Sequence, residues 1–195
     1  RAILAFAERL GGVDLLVNNA GTSAFHAFEQ QEEAAIRALL EANLLAPMLL
    51  TQELLPLLLA QPRAQVVNVG SIFGYIGFPG FASYCTSKFG LRGFSQALRR
   101  ELADTPVEVR YFAPRATRTA INPDAVTAMN RELGNAEDAP ELVAREFMAF
   151  LDSRAWERKL GAKERFFVLM NNLLPAVPDK ALRGQLPVIR KYLPR

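Results

Sequence analysis

The chain predicts an α/β fold, with parallel strands in one sheet and helices packed against it. Three observations carry this. Residues 13–17, 66–69 and 107–113 are short runs rich in β-branched residues, and the first is apolar on nearly every side chain, as in a strand covered on both faces. Longer stretches with apolar residues at helical spacing alternate with these runs. The segment 65–93, QVVNVGSIFGYIGFPGFASYCTSKFGLRG, passes from a buried strand through a glycine-rich aromatic loop into a helix.

Residues 1–10 read as the last turns of a helix, with Ile3, Leu4, Phe6, Ala7 and Leu10 apolar, stopped by Gly11-Gly12. No Met and no capping residue precede it, so the chain reads as beginning inside an element. After the strand at 13–17 comes Asn18-Asn19-Ala20-Gly21. Asn side chains at a strand end tie neighbouring backbone groups together, while Ala and Gly let a flat ligand approach. Residues 31–59 are helix-rich, with Ile36, Leu39, Leu40, Leu44 and Leu45 on one stripe. Pro47 offers no N–H to the Asn43 carbonyl four residues earlier, which predicts a kink there and a carbonyl free to hold a water.

The helix from about Ala82 continues through Leu91, Phe94, Leu98 and Leu102, a stripe broad enough for the sheet and for another subunit. The strand at 107–113 ends at Pro114. Residues 122–139 are polar and irregular, helical around 125–133, and suit a lid over a substrate. An amphipathic helix at 141–151 and a short strand at 158–162 follow. Residues 164–195 are apolar with basic punctuation and read as a C-terminal helical extension. It is expected to close the substrate pocket or pair with another subunit rather than anchor in a membrane. With no repeat and no linker, residues 1–195 read as one domain.

Half of the 195 residues are hydrophobic and the net charge is +3, which argues against disorder and allows a sizeable core. Lys and Arg are scattered, without a basic run interleaved with aromatics, so nucleic acid is not an expected partner. A single cysteine, Cys85, excludes an internal disulfide framework. Beside Tyr84 it reads as a small buried hydrophobe, with a reactive thiol as the alternative. His26 and Cys85 fit no usual ligand spacing, so no metal is expected, and His26 reads as a loop residue near the cleft mouth. No signal peptide opens the chain and no apolar run reaches about 18 residues, so a cytoplasmic location is expected.

The chemistry lies in Ser71, Tyr84 and Lys88. Tyr84 and Lys88 are four apart, one turn up the same helix face, and Ser71 leaves the strand's carboxyl end. A cation near a phenol favours phenolate by about 1 to 3 pKa units, so Lys88 is expected to lower the Tyr84 pKa from about 10. Ser71 can hold a substrate oxygen while Tyr84 gives or takes its proton. This is carbonyl and alcohol chemistry. The competing reading is a buried Tyr beside a solvated Lys.

The order strand, Ser71, glycine-rich loop, Tyr84-x-x-x-Lys88 resembles the active-site segment of the short-chain dehydrogenase/reductase family. The resemblance implies a Rossmann-like, doubly wound sheet and NAD(P)-dependent interconversion of a small-molecule carbonyl and its alcohol. It implies Tyr84 as general acid or base, Lys88 on the nicotinamide ribose, Ser71 on the substrate oxygen, and Asn43, followed by Leu44, holding a relay water. Asn18, Asn19, Ala20 and Gly21 resemble the family motif that serves sheet stability and the adenosine side of the cofactor. Pro114, Thr117 and Thr119 fall where the family meets the nicotinamide, but Arg115 replaces the family's glycine and puts that loop in doubt. Its guanidinium suggests, as a lesser alternative, a hold on an acidic substrate or a cofactor phosphate.

The family's glycine-rich pyrophosphate turn and first three strands have no counterpart here, so a fragment of a longer reductase is expected, with NAD against NADP left open. A homodimer or homotetramer is implied as well. The alternative from another class is a non-catalytic remnant serving as a binding or dimerisation module.

Overall fold

The structure is a computed structural model and describes residues 2–194. Arg1, the start of the expected first helix, and Arg195 lie outside the described residues. Helix α1 (Ala2–Arg9) ends at Gly11 and Gly12, both at positive φ, and leads into β1 (Leu15–Asn18). Helices α2 (Glu33–Leu40) and α3 (Ala46–Leu59) precede β2 (Ala64–Val69). The long helix α4 (Ala82–Glu101) precedes β3 (Val107–Ala113). Then come α5 (Asp124–Glu132), α6 (Pro140–Leu151), β4 (Glu157–Lys159), α7 (Ala162–Leu173) and α8 (Ala176–Tyr192).

All four strands pair in parallel in the order β1-β2-β3-β4. Side-chain alternation sorts the two faces. Leu16, Val66, Val107 and Val109 point to one face, where Leu54 and Leu58 of α3, Ala7 of α1 and Leu102 after α4 complete a core. Val67 and Phe112 point to the other, against Phe150 of α6. The expectation of a strand covered on both faces fails for β1, whose Leu15 and Val17 remain 39 % and 36 % exposed.

The break expected at Asn43 is present as a π-turn, Glu41–Leu45, between α2 and α3, in which the Ala46 N–H donates to the Glu41 carbonyl. The extra residue in the turn absorbs the missing Pro47 donor and turns Asn43 inward. By length and composition, Glu33–Leu59 is long and apolar enough to cross a membrane, contrary to the expectation that no run is. In the fold this segment lies on the sheet, with Thr51, Leu54 and Leu58 buried.

A polar ladder runs through that same face. Asn18 and Asn68 are register partners in β1 and β2. The Asn18 amide donates to Asn68 Oδ1 (2.8 Å) and to Thr51 Oγ1 (3.1 Å), and the Asn68 amide donates to Ser95 Oγ of α4 (2.8 Å). Thr51 and Ser95 pass their own protons to the Pro47 and Leu91 carbonyls, so each buried group is paired.

On the opposite face, Arg110 of β3 is buried and donates to the carbonyls of Phe150, Leu151, Ser153 and Ala155. A guanidinium thus closes the carboxyl end of α6, where free carbonyls and the helix dipole favour positive charge. Arg110→Met keeps the apolar stem and leaves those carbonyls unpaired. Urea unfolding should show a loss of about 2 to 3 kcal/mol, whereas an unchanged midpoint would mean water replaces the guanidinium freely.

Candidate active site

The site begins where β2 ends. Gly70 and Gly74 have no side chain because Tyr111 of β3 fills the space: a Cβ on Gly70 would overlap its ring, and one on Gly74 would overlap its hydroxyl and sit 2.9 Å from the Lys88 carbonyl oxygen. The Tyr111 hydroxyl accepts from the Ser71 N–H (3.4 Å) and donates to the Lys88 carbonyl (3.3 Å). One buried phenol therefore ties Ser71 and Lys88 together through their backbones. Ser71 also caps a short 3-10 turn, Ile72–Gly74, its Oγ accepting from the Phe73 N–H at 3.1 Å.

Tyr84 stands in the first turn of α4 and Lys88 one turn on, as their spacing predicts. The Lys88 ammonium is buried, donates to the Val69 carbonyl at 3.1 Å and lies 5.8 Å from the Tyr84 ring centroid. Burial pushes the Tyr84 phenol up to about 12, with a hydrogen bond to Ser71 acting the other way. Burial pulls the Lys88 ammonium down to about 8. The expected lowering of the phenol pKa by Lys88 is therefore not what the chain displays. Desolvation outweighs attraction at that separation, and the ammonium faces a carbonyl rather than the phenol oxygen.

Asn43 is almost wholly buried and its amide is fully used. Its Oδ1 accepts from the Thr22 N–H (2.8 Å), and its Nδ2 donates to the Thr22 carbonyl (2.8 Å) and to Ser87 Oγ (3.1 Å). It clamps the loop after β1 to α4. A Cβ on Gly21 would lie 3.1 Å from Asn43 Oδ1 and 3.6 Å from Lys88 Nζ, so the β1 loop passes directly beside the lysine.

Ser71, Tyr84 and Lys88 open onto one cavity of about 890 Å³, whereas Asn43 lies behind its lining. Asn19, Ala20 and Gly21 line it, as do Pro114, Thr117 and Thr119 from the loop after β3. Asn18 does not; it belongs to the ladder inside the sheet. Apolar and aromatic side chains, among them Phe73, Phe78, Phe81 and Phe147, make most of the wall. His26 is exposed and outside the lining, and Cys85 is buried against the Phe78 N–H, its thiol pushed up by burial.

Arg115 is spent within the protein. Its guanidinium makes a two-pronged pair with Asp138 (2.9 and 2.6 Å) and reaches Glu164 at 3.4 Å. No non-glycine residue among those described has positive φ, so the loop takes a form that needs no glycine. Asp138 in turn bridges the backbone of Ala116 and Arg118, which fastens the segment between α5 and α6 to the cavity rim. Neither an acidic substrate nor a cofactor phosphate finds this guanidinium free.

Residues 1–130 match the family model for short chain dehydrogenases. The chain belongs to this family. It is 33 % identical over 128 residues to the 3-oxoacyl-(acyl-carrier-protein) reductase FabG of Vibrio cholerae, a match covering 66 % of this chain and 51 % of the relative. A crystal structure of a short-chain dehydrogenase from Streptomyces avermitilis superposes with a TM-score of 0.75 at 29 % identity, covering 97 % of this chain and 75 % of that one. A Burkholderia cenocepacia short chain dehydrogenase, solved in complex with NADP, has the same fold at a TM-score of 0.75 and 24 % identity, covering 92 % and 74 %. The chain spans about half the length of the curated relatives it matches. The Rossmann-like fold is thus that of the short-chain dehydrogenases.

The structure brings the expected Ser71, Tyr84 and Lys88 to one cavity, while the sequence did not point to Tyr111 and Asp138, which hold the site's backbone and rim. Gly70 and Gly74 were the only signal for Tyr111, since they mark a close approach without naming what approaches.

Lys88 and Tyr84 pull the pH dependence of stability in opposite directions. Between pH 8 and 10.5 the unfolded chain carries the Lys88 proton and the folded chain has lost it, so stability rises with pH. Between 10 and 12 the folded phenol keeps a proton that the unfolded one gives up, so stability falls. Measured as the difference from Lys88→Met, urea-unfolding stability should rise from pH 8 to 10 by on the order of 2 kcal/mol, against the fall that the raised pKa values of Cys85, Tyr75 and Tyr111 add as pH passes about 9. A difference that stays flat would assign the titration to another group.

Proposed function

We propose that this short-chain dehydrogenase interconverts a small-molecule carbonyl and its alcohol with NADP or NAD, using Ser71, Tyr84 and Lys88. The observation that carries the reading is their convergence at the wall of one cavity, with Gly21 beside Lys88. The residues present fit the nicotinamide half of such a cofactor. The close passage of Gly21 past Lys88 leaves backbone rather than a side chain facing a ligand, and Asn19, Ala20, Pro114, Thr117 and Thr119 surround the same space. Lys88 would hold the ribose hydroxyls. The cofactor supplies the hydride when bound.

The protein's part is position and proton. Ser71 holds the substrate oxygen by hydrogen bond. Tyr84, with its pKa near 12, is a neutral phenol at pH 7 and acts as the acid in the reductive direction. Lys88 stays mostly cationic at pH 7 and opposes the negative charge left on the phenol. Asn43 sets the β1 loop against α4 through its side-chain amide, and its main-chain carbonyl, to which Pro47 offers no N–H, would be the group that holds the relay water. The aromatic wall shuts water from the reacting oxygen.

We place self-association on the exposed face shared by the π-turn, α3 and α4, where Leu45, Met48, Leu49 and Phe89 stand out and Gly90 packs on Leu44. Light scattering should give a dimer or tetramer that Leu49→Glu with Phe89→Glu reduces to monomer. A cytoplasmic setting suits the single buried thiol.

The test of the catalytic reading is calorimetric titration of the chain, and of one extended upstream, with NADPH and NADH, followed by carbonyl screens. Tyr84→Phe should lower turnover by roughly 100- to 10,000-fold with cofactor affinity preserved, while Lys88→Met should weaken both. Binding of neither cofactor by either chain would leave the fold as a binding or dimerisation module.

A further inference from the structure

The α7–α8 pair has two unlike faces. The inner face is bound to the domain: Val168, Pro178 and Ile189 are buried, Asn171 donates to the Tyr75 carbonyl at 3.2 Å, and Phe167, Leu182 and Gln185 line the cavity. The outer face is apolar and open. Phe166, Leu169 and Leu173 recur at i, i+3 and i+7 on α7, and Leu174 and Val177 continue the patch across the turn to α8. Each of the five is more than half exposed. Five large hydrophobes in one stripe exceed the scattered apolar exposure of an ordinary surface.

Charge identifies the partner. Residues 162–195 hold seven Lys and Arg against two Asp and Glu, whereas residues 1–161 hold 16 against 18, so the chain's positive balance lies entirely in this unit. Glu164, one of the two acids, is turned inward to Arg115, which leaves Asp179 as the acid on the outer side. On α7 the exposed Lys163 and Arg165 fall on opposite flanks of the Phe166–Leu169–Leu173 stripe, and Lys180 and Arg183 are exposed on α8. An apolar stripe bordered by cations is the pattern of a helix lying in the plane of an anionic lipid surface. A second copy of this chain fits poorly, because a two-fold contact would press two such positive faces together.

We propose that the outer face of α7 and α8 docks on an anionic lipid bilayer, with Phe166, Leu169, Leu173, Leu174 and Val177 in the interface and the flanking cations on the headgroups. This revises the sequence expectation that the segment pairs with a subunit rather than meeting a membrane; its other expected role, closing the pocket, belongs to the inner face. The docked helices supply part of the cavity wall through Phe167, Leu182 and Gln185, so the cavity would lie close to the bilayer. The proposal stands independently of the catalytic reading.

Co-sedimentation with vesicles of phosphatidylcholine, alone and with added phosphatidylserine, tests it. Binding should be on the order of tenfold or more stronger with phosphatidylserine and should fall with salt. Leu169→Glu with Leu173→Glu should abolish it, and Lys163→Glu with Arg165→Glu should reduce it to the level of phosphatidylcholine alone. Circular dichroism checks that both exposed-site variants remain folded. Absence of binding, equal binding to both vesicles, binding untouched by either variant, or a solution dimer that Leu169→Glu with Leu173→Glu dissociates would each overturn the proposal.

Discussion

The fit of the Tyr111 phenol into the space left by Gly70 and Gly74 is the constraint on which the site depends. β3 runs beside β2 with Asn68 opposite Tyr111, so a large side chain there reaches the exit of β2 and the start of α4 together. Its hydroxyl is buried and must be paired, and the two partners available are the Ser71 N–H and the Lys88 carbonyl. Satisfying one buried oxygen therefore sets the distance between the strand that carries the serine and the helix that carries the lysine. A glycine replaced by alanine at either position would force the phenol out and lose both anchors.

A second set of buried polar groups fixes the sheet relative to its helices. Asn18 and Asn68 could each have been apolar in a sheet of this kind, yet they link α3, β1, β2 and α4 through Thr51 and Ser95. Apolar packing alone lets α3 and α4 slide over a smooth strand surface at little cost. A hydrogen-bonded ladder penalises each slip by unpaired groups in a low-dielectric interior. The Asn43 clamp adds to this one layer up, so the loop bearing Gly21 meets Lys88 in a single arrangement.

Local signals were legible in the sequence wherever they came from backbone chemistry. Pro47 announced the break at Asn43, though not that a π-turn would take it up. Gly11-Gly12 ended α1, and Tyr84 and Lys88 met because four residues make a helical turn. What stayed hidden depends on which distant element comes close. By resemblance of Asn18–Gly21 to the family motif, Asn18 is expected to serve both the sheet and the cofactor, and register opposite Asn68 draws it into the sheet. Arg115 reads as a free cation, and only the fold brings Asp138, 23 residues on, to claim it. The role of Arg110 is likewise set by where α6 ends, 40 residues later.

The pKa shifts bear on the direction of the chemistry. Desolvation pushes both partners toward their neutral forms, the phenol upward and the ammonium downward, so the site at rest does not hold a phenolate ready as a base. That does not impair an acid. In the proposed reduction the substrate alkoxide, with a basicity near that of hydroxide (about 15.7 for water), would be far more basic than a phenolate with a pKa near 12, so proton transfer from Tyr84 would run downhill. The phenolate that results sits in the same desolvated space as a lysine still mostly charged below pH 8, and their attraction acts only once the proton has moved. Stabilisation that appears in the course of the reaction and is absent beforehand is what lowers a barrier rather than deepening the ground state. The raised phenol pKa is therefore compatible with the proposed reduction, and the proposed reverse oxidation would become easier as pH rises.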